Sequence, residues 1–303
     1  MIKKVVIWGY PPDTHTHSYI HLGFAKAFSE MDYDVVWYDD SPEYSNENLQ
    51  DSIVITEHNC CKYMPFEKTS KYFIHNIEDG FYKQNKFDQE NVYNLLVYHE
   101  NYNWNENISK LNDFSWFDNE TNTVVIMWAS DLTPSEIDEQ AEVLFDSTKN
   151  NVNYIGSIAY EYSKDLIETV KSNNKKFINY GGYTGTRSKT TTSGFTSNDE
   201  MMELTKESYL NFDIRPKCHL DNGYVPCRIF KTMSYGCWVG SNSEKISKFF
   251  GDRITVNSNL TDLYYQTEQD SKNTTKQILR DNMNYVKQHH TYINRVESIL
   301  SVL

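Results

Sequence analysis

Apolar residues fall along this chain in two rhythms. Short, nearly continuous runs, "KKVVIWGY", "DVVWYDD", "SIVITEH", "KYFIHN", "VYNLLVYH" and "TVVIMWAS", alternate with polar stretches, and runs of this length predict buried strands. Between the first two, "HSYIHLGFAKAFSEM" puts Ile20, Phe24, Ala27, Phe28 and Met31 on one face of a helix. The second half repeats the scheme. "VNYIGSI", "KKFINYGG", "YLNFDIR", "CWVGSN" and "RITVN" predict strands, while "YSKDLIETVKSNN", "SNDEMMELTKES", "VPCRIFKTMSYG" and "SEKISKFFG" predict helices, the second of these capped by Ser197 or Asn198. From Thr274 onward Ile278, Met283, Val286, Ile293, Val296 and Leu300 recur at helical spacing. Strands alternating with helices imply an α/β protein with parallel sheets covered on both faces. The polar run at 147–152 marks a boundary, so the expected domains are residues 1–150 and 151–275, with 276–303 as closing helix packed back across both. Two such doubly wound domains would face a central cleft, because open α/β sheets bind ligands at the carboxyl ends of their strands.

Composition narrows the function. Hydrophobic residues make up 39% of the 303, and Tyr 23, Phe 15 and Trp 6 supply large apolar side chains, which excludes wholesale disorder. A formal net charge of −13 argues against the broad basic face that a nucleic-acid binder needs. A local cationic pocket for a phosphorylated small molecule remains open. The N-terminal apolar run before Pro11 is too short for a signal-peptide core, and nothing approaches the roughly 18 apolar residues of a membrane span. Five cysteines with no CxxC fit a reducing compartment. A cytoplasmic protein is expected.

Three loops carry candidate chemistry. "GYPPDTHTHSYIHLG" projects Asp13, His15 and His17 from the end of the first strand, with Ser18 or Thr16 as helix cap. A histidine there is suited to general-base work near neutrality, with a carboxylate to orient or charge it. His17 and His21 are four apart, but no H-E-x-x-H accompanies them, so no metal is expected. The loop is not G-x-G-x-x-G, which disfavours a nicotinamide or flavin cofactor. "GGYTGTRSKTTTSG" offers Gly182, Arg187 and Lys189 as phosphate contacts, without the spacing of a P-loop. "GYVPCRIFKTMSYGCWVGSN" places Pro226 in a first helical turn, Arg228 and Lys231 three apart on one face, and Gly236 at the close. A helix N-terminus with two cations suits a diphosphate, unless the pair lies on a solvated face or pairs with acids. Arg215, His219 and Tyr224 lie just upstream. Glu78, Asp79, Asp131, His75 and His99 are weaker strand-end candidates.

These segments resemble the two-Rossmann-domain, GT-B type of glycosyltransferase. "HLGFAKAFSEMDYDVVWYDD" is similar to the opening helix and second strand of the acceptor domain, and "NYIGSI" to the first strand of the donor domain. "YLNFDIRPKCHLDNGYVPCRIFKTMSYGCWVGSNSEKISKFFGD" resembles the donor-binding core, closest to the spore-maturation (CgeB-like) group with its P-x-R-x-F and closing glycine. The resemblance implies transfer of a hexosyl or deoxyhexosyl group from a UDP- or GDP-linked sugar to a glycan, lipid-linked saccharide or other hydroxyl acceptor. A lipid-linked acceptor would require weak peripheral membrane contact. Gly182, Arg187, Lys189, Arg215, His219, Tyr224, Arg228 and Lys231 would hold the donor without a metal cofactor, and Asp13, His15 or His17 would deprotonate the acceptor. Many retaining relatives carry two glutamates eight positions apart, the second five residues before the closing glycine. Here those positions are Gly223 and Lys231, so inversion is favoured. The rival expectations are a sugar-nucleotide epimerase and a non-catalytic two-domain sugar-binding protein.

Overall fold

The computed structural model describes residues 3–75, 77, 89–144, 150–181, 183–184 and 197–303. Its contacts divide the chain into two units, residues 1–133 with 289–303, and residues 134–288. The change of unit falls ahead of the Pro134–Glu142 helix, which buries Ile137, where the polar run at 147–152 had placed it later. The closing segment 276–303 is itself divided: the helix Lys276–His289 falls almost wholly in the second unit and the helix Tyr292–Leu300 in the first.

The first unit contains β1 (Lys4–Gly9), β2 (Asp34–Asp39), β3 (Ser52–Glu57), β4 (Lys71–His75), β5 (Val92–Leu96), β6 (Ile108–Asn112), β7 (Ser115–Asp118) and β8 (Thr123–Val125). They form one sheet in the order β2-β1-β3-β4-β5-β8-β7-β6. β2 through β8 in that order are parallel neighbours, and β7 and β6 add an antiparallel edge. The parallel strands are the apolar runs of the sequence: Val5 to Trp8 and all of β3 are buried. The β6–β7 hairpin was not anticipated, because "ISKLN" and "SWFD" mix polar and apolar positions at a half-exposed edge. Nor does every crossover carry a helix. The β1–β2 connection is the helix Thr16–Glu30, whereas β2–β3 carries only a 3-10 turn at Pro42–Tyr44 and β3–β4 none.

The Thr16–Glu30 helix forms because Ile20, Phe24, Ala27 and Phe28 make one apolar stripe, and all four are buried. Phe24 meets the ring of Tyr292, at the start of the C-terminal helix, edge-on at 4.8 Å. The same C-terminal helix carries Arg295, which is completely buried. Its guanidinium donates to the carbonyls of Met127 (2.7 Å) and Trp128 (3.1 Å), just after β8, and to that of His289 (3.0 Å), at the end of the preceding helix. Ser298 joins Asn112 at 2.9 Å and Ser115 at 2.7 Å. The last residues of the chain thus finish the sheet laid down by the first.

The second unit contains β9 (Asn151–Ile155), β10 (Ile158–Ala159), β11 (Lys176–Tyr180), β12 (Tyr183–Thr184), β13 (Asn211–Asp213), β14 (Val239–Ser241) and β15 (Thr255–Val256). Every pairing is parallel: β11 with β9, β10 with β12, and β13-β14-β15. β9 and the segment of β13 are joined through Tyr209 N–H to the Asn151 carbonyl (2.7 Å) and the Tyr154 hydroxyl to the Ile214 carbonyl (3.2 Å). The helices Lys164–Ser172 and Leu260–Asn273 bury Leu166, Val170, Leu263 and Tyr264 against Val152, Tyr154, Phe212 and Ile214. Among the described residues no helix is long and apolar enough to cross a membrane.

Candidate functional site

In the first unit the carboxyl ends of β1, β3 and β4 bring together Tyr10, His15, His17, Glu57, His58 and His75. Gly9 closes β1, and a Cβ there would come within 2.6 Å of His21 Nδ1; glycine lets the helix pass that close. The cap of the Thr16–Glu30 helix is His15 rather than Ser18 or Thr16. Its side chain accepts from His17 N–H at 3.2 Å, and Ser18 Oγ accepts from His15 N–H at 3.3 Å. His15 stacks on Tyr10 at 3.8 Å. Accepting through Nδ1 fixes the ring and, in the neutral imidazole, puts the proton on Nε2. Asp13 is exposed in the left-handed region, φ 58°, on the turn that aims this loop.

His17 is half-buried, with its ring 5.3 Å from His15 and 5.8 Å from His75. Burial lowers its pKa, and the neighbouring Glu57 charge works the other way. Glu57 ends β3, opposite His75 of β4 in the register, and is buried to 1% exposure. Burial alone would raise its carboxyl, but the Asn59 N–H, the charge of His17, the Tyr10 hydroxyl and His58 together hold it below the usual carboxylate range. The loop after β3 is held by Asp40, which accepts from Trp8 Nε1 at 3.1 Å and from the N–H groups of Lys62 (3.2 Å) and Tyr63 (2.9 Å). Cys60, in that loop, donates its thiol to Glu57 Oε1 at 3.6 Å, and burial pushes its pKa up to about 12. The sequence had not singled out Glu57 or Tyr10. The available signal was an acid closing a run that is otherwise uncharged, "SIVITE".

Of the weaker candidates, His75 is fully buried, His99 packs on Trp104 and Trp116, and the Asp131 carbonyl accepts from Lys26 at 3.0 Å. Glu78 and Asp79 lie outside the described residues, as do Gly182, Arg187 and Lys189.

In the second unit the chemistry gathers on Asp213, at the end of β13. Its side chain is fully buried, and its Oδ1 accepts from Arg215 Nε (2.7 Å), Arg215 Nη2 and Arg228 Nη1 (2.9 Å). Arg228 also donates to the Tyr154 hydroxyl (2.7 Å) and, through Nε and Nη2, to the Ile155 carbonyl (3.1 and 2.6 Å). Two guanidiniums on one carboxylate leave a net positive charge at the strand ends, with Arg215 and Arg228 side chains 14% and 20% exposed. The Tyr224 ring lies 5.6 Å from Arg215 and 4.8 Å from His219. Burial, then the Arg215 charge, lower the His219 pKa. Gly156 turns here at φ 113°, and a Cβ would sit 2.6 Å from Arg228 Nη2, so the close approach of backbone to guanidinium requires glycine.

The structure therefore brings Arg215, His219, Tyr224 and Arg228 together around an acid that the sequence did not single out. Lys231 goes elsewhere. The Cys227–Ser234 helix has only eight residues, with Pro226 as its N-cap instead of inside the first turn. Lys231 is buried to 8% exposure and donates to Asn198 at 3.3 Å. Gly236 does close that helix, at φ 76°.

Comparison with known proteins covers the span that holds most of this second cluster. Residues 157–301 match a glycosyl transferase-like family model. The matched span carries Arg215, His219, Tyr224, Arg228 and Lys231; the model is that of the broad family, not of the CgeB-like group. Two solved structures of an α-glucosyltransferase, in complex with UDP and a 13-mer DNA, share the fold. One DNA contains a HMU base and the other a central A:G mismatch; each superposes with a TM-score of 0.63 at 8% identity, over 99% of this chain and 98% of that one. A solved α1,3-fucosyltransferase superposes with a TM-score of 0.44 at 11% identity, over 92% of this chain and 80% of that one. No curated protein matches the sequence. The fold is GT-B, as the sequence resemblance implied. Because that α-glucosyltransferase was solved with DNA, the fold does not by itself exclude a nucleic-acid ligand; the expectation against one rests on charge alone.

Proposed function

We propose that this protein is a glycosyltransferase that moves a hexosyl or deoxyhexosyl group from a UDP- or GDP-linked donor to a hydroxyl of a glycan or lipid-linked saccharide. The observation that carries the assignment is the family match over residues 157–301. The cationic cluster on Asp213 supports it: a leaving diphosphate needs positive charge, and Arg215 and Arg228 supply more than one carboxylate neutralises. The UDP bound by the α-glucosyltransferase neighbour is consistent with a nucleotide donor. In the reaction the acceptor oxygen bonds to the anomeric carbon, the bond from that carbon to the diphosphate oxygen breaks with its electron pair, and the acceptor proton passes to a first-unit histidine. We place the reaction in the cytoplasm, with inversion at the anomeric carbon and no metal cofactor, the guanidiniums serving in its stead.

A thermal-shift screen against UDP, GDP, CDP, ADP, dTDP and their sugar conjugates tests the assignment. A ligand at 100 times its Kd adds about 2.7 kcal/mol of apparent stability, and one nucleoside diphosphate should stand clear of the rest. Transfer should persist in a chelator. Binding of free sugars alone, with no response to any nucleotide, would favour a sugar-binding protein instead.

A further inference from the structure

Among the described residues, the cationic neighbours of the buried Glu57 carboxylate are imidazoles. Its contacts are Asn59 N–H (3.1 Å) and Nδ2 (3.3 Å), the Cys60 thiol, the Tyr10 hydroxyl, and His58 Nδ1 at 3.4 Å; no lysine or arginine among the described residues pairs with it. A charge so placed is costly unless compensated, and here the Asn59 N–H, the Tyr10 hydroxyl and the imidazoles of His17 and His58 offset it. His17 belongs to this group. It lies beside His75, the register partner of Glu57, and beside His15, whose other face is stacked on Tyr10. Its Nδ1 is buried without a hydrogen bond, and Glu57 acts on its ring through charge.

We propose that Glu57 is a positioning residue acting through His17: its carboxylate stabilises the imidazolium formed when His17 takes the acceptor's proton. The proposal rests on the transferase assignment and selects His17 over Asp13 and His15 as the base. His15 already uses its unprotonated ring nitrogen as a helix cap, and Asp13 is exposed to solvent. The titratable groups facing His17 are His15 from the β1 loop, His21 from its own helix, Glu57 and His58 from the end of β3, and His75 from β4.

The test combines imidazole titration by NMR with steady-state kinetics on wild type, Glu57→Gln, Glu57→Asp and His17→Asn. In Glu57→Gln the His17 titration should move to lower pH, and the acid limb of kcat/KM should move with it. His17→Asn should lose about 10²- to 10⁴-fold in kcat, Glu57→Gln less, with donor KM nearly unchanged in both. Glu57→Asp keeps the charge and should retain a His17 titration close to wild type, which guards against a Gln variant that fails to fold. If the His17 titration stays fixed in Glu57→Gln, or only that of His58 moves, the proposal falls. Absence of transfer from every donor would instead overturn the transferase assignment and the proton step with it. The titration would still decide whether the two side chains are coupled.

Discussion

Asp213→Ala should destabilise the second unit by about 3 to 5 kcal/mol, the usual cost of stripping a buried charge of its partner. Arg215 and Arg228 share Asp213 Oδ1, and with side chains only 14% and 20% exposed neither can turn fully to water. Their residual exposure places the effect toward the lower end of that range. For a unit of this size it corresponds to a fall in Tm of roughly 6 to 12 °C. Asp213→Asn keeps an acceptor for one guanidinium and should lose less. A loss below about 1 kcal/mol for the alanine variant would mean that the guanidiniums find other partners and that the cluster is not held by its acid. The same variant bears on function: with Asp213 gone, Arg215 and Arg228 repel each other, and nucleoside-diphosphate affinity should fall even below the unfolding temperature.

Acid should unfold the first unit before the second. His21 and His75 are fully buried, with both ring nitrogens lacking hydrogen bonds, and His290 is buried beside Arg295. Burial lowers all three: His21 to about 3, His75 and His290 well below the ordinary value, with neighbouring imidazoles or Arg295 adding to the effect. The folded state therefore holds them neutral, while the unfolded chain takes up protons below about 6.5. Stability from this source is complete above that pH and is lost as pH falls, for His21 down to about 3. At pH 5 the loss from His21 alone is about 2 kcal/mol, and His75 and His290 add to it in the same sense. The carboxylates Glu57, Asp118 and Glu268 are held below their ordinary values, so their contribution is lost only at more acid pH, below about 4.3. Trp8, Trp37, Trp104, Trp116 and Trp128 all lie in the first unit and Trp238 alone in the second, so tryptophan fluorescence between pH 7 and 5 follows the unit in question. A denaturant midpoint unchanged across that interval would contradict buried neutral imidazoles. A folded His75→Leu variant should resist acid better than wild type.

Much of the fold was legible because it depends on local pattern. The runs that became β1, β3 and β4 each hold at least three consecutive apolar residues, and the stripe of Ile20, Phe24, Ala27 and Phe28 has helical spacing whatever it packs on. The β6–β7 edge lacks such a pattern, since its residues are half-exposed on an antiparallel border. The candidate sites were legible only as loops. That β1 ends in a histidine-rich turn can be read directly; that His15 and not Ser18 or Thr16 caps depends on the backbone path of the loop, and that Glu57 stands across from His75 depends on the register of β3 and β4. Likewise Arg228 was visible as a cation near a helix start, but its partners Tyr154 and Ile155 lie 74 and 73 residues away in sequence. Pairing over such separations leaves no trace in one sequence.

The return of residues 289–303 to the first unit has a consequence for how the protein is made. The N-terminal sheet leaves the ribosome first, but Arg295, which satisfies the carbonyls of Met127 and Trp128, is synthesised only after the whole span from 134 to 288. At about 5–20 residues per second that interval is on the order of ten seconds. Throughout it the buried face of the Thr16–Glu30 helix lacks Tyr292, and the strand exits lack their donor. The second unit, continuous in sequence, can close as soon as it emerges, while the first waits for residues 289–303.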